Sequence, residues 1–216
     1  MAAVPIKPAY GPTLGRLLSP RWRAASPLVR VVVWACAVGL IALAIGAFLT
    51  LENAHYSHGG AVPFSFSYRS LYRTAPELGE YVRLERHASD GRLLDSYAVR
   101  PLTLPPYVGG QSGELPVYAA GYIEQLRTHD RAFVLRGDGK TRVNNVPAYQ
   151  VLYTTTVQGQ TMYGRDIFLL PQKPRARRGV NIVLLTSPTA DAQVTSPLEV
   201  ASDGVLLRPV KTFTLG

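Results

Sequence analysis

The chain has 216 residues, a net charge of +9 and a single cysteine. That length holds one ordinary domain and a tail, and one thiol excludes any intrachain disulfide. The charge does not describe a nucleic-acid-binding face, because it collapses into two short segments: Lys7, Arg16, Arg21, Arg23 and Arg30 come before the first acid, and Lys173, Arg175, Arg177 and Arg178 stand together without one. The remaining 14 cations balance the 14 acids, so no nucleic acid is expected as a partner.

Residues 1–30 carry Pro5, Pro8, Pro12, Pro20 and Pro27 among arginines and small residues. That composition predicts a disordered cytoplasmic tail. Arg16, Arg21, Arg23 and Arg30 are its candidate membrane-surface groups, suited to anionic headgroups.

Residues 31–51 are predicted to span the membrane. Val31 to Leu49 contains no charged residue, and a helix of that length covers ~29 Å, close to the hydrocarbon thickness. A cleaved signal peptide has a shorter apolar core, and the residues after this one (Thr50, Leu51, Glu52, Asn53) make a poor cleavage site. Cys36 stands near the start of the run rather than at its end, where an acylated cysteine would sit. Five cations precede the run and Glu52 follows it. The positive-inside rule then keeps the N-terminus cytoplasmic and sends the rest across the cell membrane as a single-pass protein. Ala35, Gly39, Ala42 and Gly46 have the small-xxx-small spacing that permits helix pairing.

Residues 52–62 are expected as a linker. His55 and His58 lie three apart in it without a third donor, so no metal is assigned. Residues 63–216 are expected as one extracytoplasmic α+β domain. Phe64, Phe66 and Tyr68 alternate with Ser65 and Ser67, a half-buried strand. Tyr81 to His87 and Leu93 to Arg100 alternate on either side of Asp90-Gly91, a hairpin. Pro101 to Gly113 is expected as a loop, and Glu114-Leu115-Pro116 opens a helix ending near Asp130. Strands follow at Ala132–Arg136, ending in a Gly137-Asp138-Gly139 turn, at Tyr149–Val157, Met162–Leu170 and Val180–Thr186. Ser196, Pro197 and Glu199 suggest a capped helix stopped by Pro209, before a closing strand at Lys211–Leu215.

Strand runs with two separated helices point to a mostly antiparallel sheet with helices packed on it. FSFSY at Phe64–Tyr68, VPAYQVLY at Val146–Tyr153, MYGRDIFLL at Met162–Leu170 and VNIVLLTS at Val180–Ser187 occur in an order that resembles the PsbP-like sandwich fold, as does the terminal KTFTL. That fold family includes a subunit of the oxygen-evolving complex and bacterial envelope proteins. The resemblance covers residues 62–215 and implies a fold but no functional residue, since the family shares no active site. Tyr68-Arg69-Ser70 stands where a Pro-Gly-Trp-type turn is often seen.

No Walker loop, GxSxG, HExxH or CxxC occurs, so no catalytic residue and no cofactor are assigned. The function expected is a non-catalytic binding or assembly subunit, anchored in the membrane and docked on a membrane-protein complex or envelope component. Lys173, Arg175, Arg177 and Arg178 are the candidate groups for a partner or polyanion, anionic lipid included. Two alternatives stand beside it: a lipid or polyanion carrier using that loop, and an envelope enzyme whose cleft gathers several of Asp95, Glu124, Asp166 and His87. Twelve tyrosines against six phenylalanines supply amphipathic side chains for either a core edge or a binding surface.

Overall fold

The computed structural model describes residues 26–50, 54–75, 77–108, 113–173, 175–191 and 193–216. Arg16, Arg21 and Arg23, and the disorder expected of residues 1–30, lie outside them. The chain divides into two compact units, Met1–Thr50 and Leu51–Gly216.

Among the described residues the first unit contributes one helix, α1 (Pro27–Thr50). It starts four residues before the expected span because Pro27 suits a first helical turn, and Ser26 Oγ accepts the Val29 N–H at 3.4 Å. Its 18-residue window Pro27–Ala44 has a mean hydropathy of 2.2, and no part of it is buried by protein. Trp34, Val38, Ile41 and Leu43 are exposed, which in water would leave a large apolar surface bare. Ala35, Gly39, Ala42 and Gly46 lie along one open face of α1.

Among the described residues the second unit is built from ten strands: β1 (Ala54–His58), β2 (Phe64–Tyr68), β3 (Arg73–Thr74), β4 (Val82–His87), β5 (Leu93–Thr103), β6 (Val134–Val143), β7 (Val146–Val157), β8 (Gln160–Leu169), β9 (Arg178–Thr186) and β10 (Thr214–Leu215). Helix α2 (Glu114–His129) precedes β6, and the short α3 (Leu207–Lys211) precedes β10. Seven strands form an antiparallel sheet in the order β3-β4-β5-β9-β8-β7-β6, and β1-β2-β10 form a small second sheet.

The large sheet has a cover on each face. Ile167, Leu169, Val180, Ile182, Leu184, Tyr97 and Val99 pack against Phe64, Phe66 and Phe213 from the small sheet and the C-terminal segment. The opposite face places Leu102, Val151, Tyr153 and Phe168 against Ala119 and Ile123 of α2. The period of two along each strand sorts residues between these faces.

Several expectations are corrected. The linker holds strand β1, paired with β2 from Ala54↔Tyr68 to His58↔Phe64. His55 Nδ1 lies 3.4 Å from Ser67 Oγ, and the His58 ring lies 4.3 Å from that of Tyr81. Strand β5 runs through Pro101 to Thr103 instead of stopping before it. The Leu104 N–H donates to the Arg177 carbonyl at 2.8 Å, so even-numbered positions of β5 turn their N–H toward β9. Pro101 is odd and faces the β4 side, where pairing has already ended at Val82↔Val99. Its missing donor is not needed there.

Gly137-Asp138-Gly139 does not turn. Strand β6 continues through it, with a register shift between Leu135 and Gly137. The turn comes at Asn144 (φ 45°) and Asn145 (φ 69°), both left-handed as a two-residue hairpin of type I′ requires. The capped helix expected from Ser196 is a series of turns, with α3 confined to Leu207–Lys211 around Pro209. Glu199 still does half of what a capping box does, accepting the Ser196 N–H at 3.1 Å.

Candidate functional site

The helix-side face of the large sheet carries an unusual concentration of polar groups. Tyr118 and Tyr122 lie one turn apart on α2, their ring centroids 6.2 Å from each other. Both meet Phe168 edge-on, at 5.3 and 5.1 Å. Their apolar bodies close the core while the hydroxyls reach beyond it. The Tyr122 hydroxyl donates to Asp166 Oδ2 at 2.5 Å, and the Tyr153 hydroxyl donates to Oδ1 at 3.0 Å. Tyr153 reaches this point because its cross-strand partner is Gly164. A Cβ there would lie 2.3 Å from the Tyr153 ring.

Asp166 is fully buried. Burial pushes its carboxyl up to about 6, against the opposing effect of the Tyr122 and Tyr153 bonds and the Arg100 charge. The same surroundings raise both phenols far above their ordinary range, burial again acting first. Asn181 is also buried on this face, opposite Arg100 and Phe168 in the ladder. Among the described residues its Oδ1 has no hydrogen-bond partner.

A charged cluster continues from this point. Glu80 Oε1 accepts from Arg100 Nε at 2.8 Å and from Arg83 at 2.7 Å. Arg83 also binds Glu77 at 2.6 Å and Glu85 at 3.4 Å. Burial works to raise the Glu80 carboxyl, but the bonds from Arg83 and Arg100 outweigh it and hold the group below its usual range. With one carboxylate shared by two guanidiniums, the cluster tethers the segment before β4 to β5. Its bonds are satisfied internally, which suits a structural brace better than a reacting group.

The four groups proposed for an enzyme cleft do not gather. Asp95 shares its face of β5 with Tyr97 and Val99, the face covered by the small sheet. There it accepts from Arg86 Nε at 2.6 Å and from the Thr186 hydroxyl at 2.5 Å. Asp166 points to the opposite face with Phe168. Glu124 is exposed on α2 and paired with Arg127 at 2.6 Å, and His87 stands beside Glu85 at 3.5 Å. Among the described residues no group of three His, Cys, Asp or Glu side chains converges as a metal cage would require.

The basic loop is less uniform than its sequence suggests. Lys173, Arg175 and Arg178 are exposed. Arg177 instead turns inward, donating to the Pro105 carbonyl and lying 3.9 Å from Glu114. Arg178 is already the first residue of β9, opposite Thr103. The Tyr122–Asp166–Tyr153 cluster was not expected from the sequence. Its signal was an acid in β8 alternating in phase with Met162, Gly164 and Phe168.

No protein-family model matches the chain, and no curated protein matches it. Solved structures do. A crystal structure of LpqN, involved in cell envelope biogenesis of Mycobacterium tuberculosis, is similar at a TM-score of 0.50 and 10% identity, covering 75% of this chain and 90% of that one. The solution structure of cyanobacterial PsbP, CyanoP, from Synechocystis sp. PCC 6803 is similar at 0.52 and 14% identity, covering 77% and 94%. The fold is PsbP-like. The similarity spans about three quarters of this chain.

Proposed function

We propose that this protein is a non-catalytic accessory protein of the cell envelope. In this reading α1 crosses the cell membrane once, with the N-terminus cytoplasmic. The PsbP-like domain lies outside and docks onto a membrane-protein complex or another envelope component. The observation that carries it is α1, an unburied apolar helix of 24 residues that is ~36 Å long. Five cations precede its core and none follows it before Arg69, which supports the orientation. The envelope role of LpqN, on the same fold, supports the setting. The dispersal of Asp95, Glu124, Asp166 and His87 removes the support that an enzyme cleft had.

The exposed cations of the basic loop are the proposed polyanion- or partner-facing groups. Exposed charges act over ~8–10 Å at physiological ionic strength, so such an association weakens with salt. Two measurements test this reading. Protease added to intact spheroplasts is expected to remove the domain, and its protection until lysis would reverse the orientation. Replacing Lys173, Arg175 and Arg178 with Gln, while keeping the inward Arg177, is expected to leave the fold intact and lower retention in the native assembly as salt rises. Retention equal to wild type at every salt concentration would reduce the loop to a solvated connection.

A further inference from the structure

The two edges of the large sheet are unequal. At one end β3 pairs through only Arg73 and Thr74. At the other, β6 presents ten residues and pairs only with β7. Among the described residues no backbone bond joins its outer side. Unpaired edges are normally kept short, bulged or charged, because a long one invites another strand.

The turn shows which groups of β6 face outward. Val143 and Val146 close a two-residue hairpin, and that closing pair exchanges both main-chain bonds. Gly139, Thr141 and Val143 therefore turn N–H and C=O toward β7. Asp138, Lys140 and Arg142 turn theirs outward. Arg136, Asp138, Lys140 and Arg142 are also exposed in their side chains. Asp138 is engaged by the Tyr149 hydroxyl at 2.5 Å, which leaves a net cationic comb at alternate positions. Gly137 and Gly139 lie between its teeth, and a Cβ at either would meet nothing within 4 Å. Glycine inside a strand lowers its stability and marks places where another backbone comes close.

We infer that the outer edge of β6 is a docking site for an extended acidic segment of the partner, added to the large sheet as an eighth strand. This rests on the docking function proposed above and names the surface that carries it. Main-chain pairing with Asp138, Lys140 and Arg142 supplies the bonds, and acids on the incoming strand meet Lys140 and Arg142, while Arg136, at the register shift, donates to Thr154 at 3.3 Å. A second copy of this chain fits worse. Its edge carries the same net positive charge, and although antiparallel pairing about Gly139 sets Asp138 opposite Lys140, that carboxylate is already engaged by Tyr149.

Amide hydrogen exchange on the full chain tests the inference without any substitution. In the isolated protein the N–H groups of Asp138, Lys140 and Arg142 are expected to exchange at least tenfold faster than those of Gly139 and Thr141. In the native complex they become protected to a similar degree. Lys140→Ala removes the charge and Lys140→Pro removes the outward N–H as well, while neither removes a bond to β7. Lys140→Pro is expected to lower retention in the complex at least fivefold beyond Lys140→Ala. Equal retention of the two, or unchanged exchange at Asp138, Lys140 and Arg142 in the complex, overturns the strand addition and leaves accessory docking standing on another surface. Protection that rises with the concentration of the isolated protein points to a second copy and overturns the acidic partner. Failure of the wild type to enter any complex overturns both readings.

Discussion

On one face of the large sheet, Phe66 is fully buried among Tyr97, Tyr56 and Phe213, at ring-centroid distances of 4.8, 5.5 and 6.3 Å. On the other, the buried centre is a carboxylate, Asp166, held by two tyrosines under α2. The aromatic cluster of the first face is sealed by dispersion and area, which pH does not change, and the buried acid on that face, Asp95, lies apart from it, bonded to Arg86 and Thr186 and raised by burial. The second joins helix to sheet through groups whose protonation decides how well they fit. The aromatic cluster is thus insensitive to pH, while the seat of α2 depends on the proton of Asp166.

Substitution at the aromatic face has the largest expected effect. Phe66→Ala removes a fully buried ring and is expected to lower stability by about 3–5 kcal/mol. Urea unfolding of the full chain in detergent, followed by circular dichroism, measures it. The loss is expected to be the same at pH 5 and pH 8, and a strong pH dependence would mean that the aromatic cluster is coupled to Asp95 or Asp166.

Asp166 comes next, and the sign follows from the direction of its shift. The folded-state carboxyl lies at about 6, above the ordinary aspartate value of 3.8. The folded state therefore holds this proton more tightly than the unfolded chain. Its stabilising contribution is complete below about pH 4 and is lost as pH rises through 6, a loss on the order of 3 kcal/mol. Asp166→Asn keeps a polar group between the two tyrosines and is expected to remove this dependence. Melting curves of variant and wild type from pH 4 to pH 8 are expected to converge at the acid end or cross. Parallel curves would show that Asp166 does not titrate in that window.

Tyr122→Phe is expected to be smaller, about 1.5–3 kcal/mol for a lost bond to a carboxylate. Because that bond lowers the Asp166 carboxyl, its loss should move the titration midpoint upward from about 6. A carbon-detected NMR titration of the Asp166 carboxyl reads the midpoint directly, and an unmoved midpoint would leave Tyr153 as the partner that matters.

Much of the aromatic face was legible in the sequence, because alternation in FSFSY and MYGRDIFLL carries the period of a strand. The layers that cover the sheet were not. Phe213 reaches Phe64 across a separation that no local pattern encodes, and the turns after Ser196 resemble a helix start because Glu199 makes the cap without the helix. Gly137-Asp138-Gly139 carries turn residues, yet Asn144-Asn145 supplies the pair of left-handed conformations a tight hairpin needs. The polar cluster was half visible. Tyr118 and Tyr122 share a helical face by spacing, but their meeting with Asp166 depends on how α2 crosses β7 and β8. The basic loop was visible as charge, while the inward turn of Arg177 depends on where Pro105 and Glu114 lie.

Strands β2 and β10 join chain segments far apart in sequence: the Ser65 and Thr214 hydroxyls lie 2.7 Å apart, and Asn144 Nδ2 donates to the Phe213 carbonyl at 2.6 Å. During vectorial synthesis, β2 is made early and its last neighbour arrives about 150 residues later. Until Phe213 emerges, the aromatic face lacks one of its rings and β2 one of its edges. The segment that closes the core thus follows nearly all of the domain out of the ribosome, and a nascent chain keeps this face open for nearly the whole time the domain is being made.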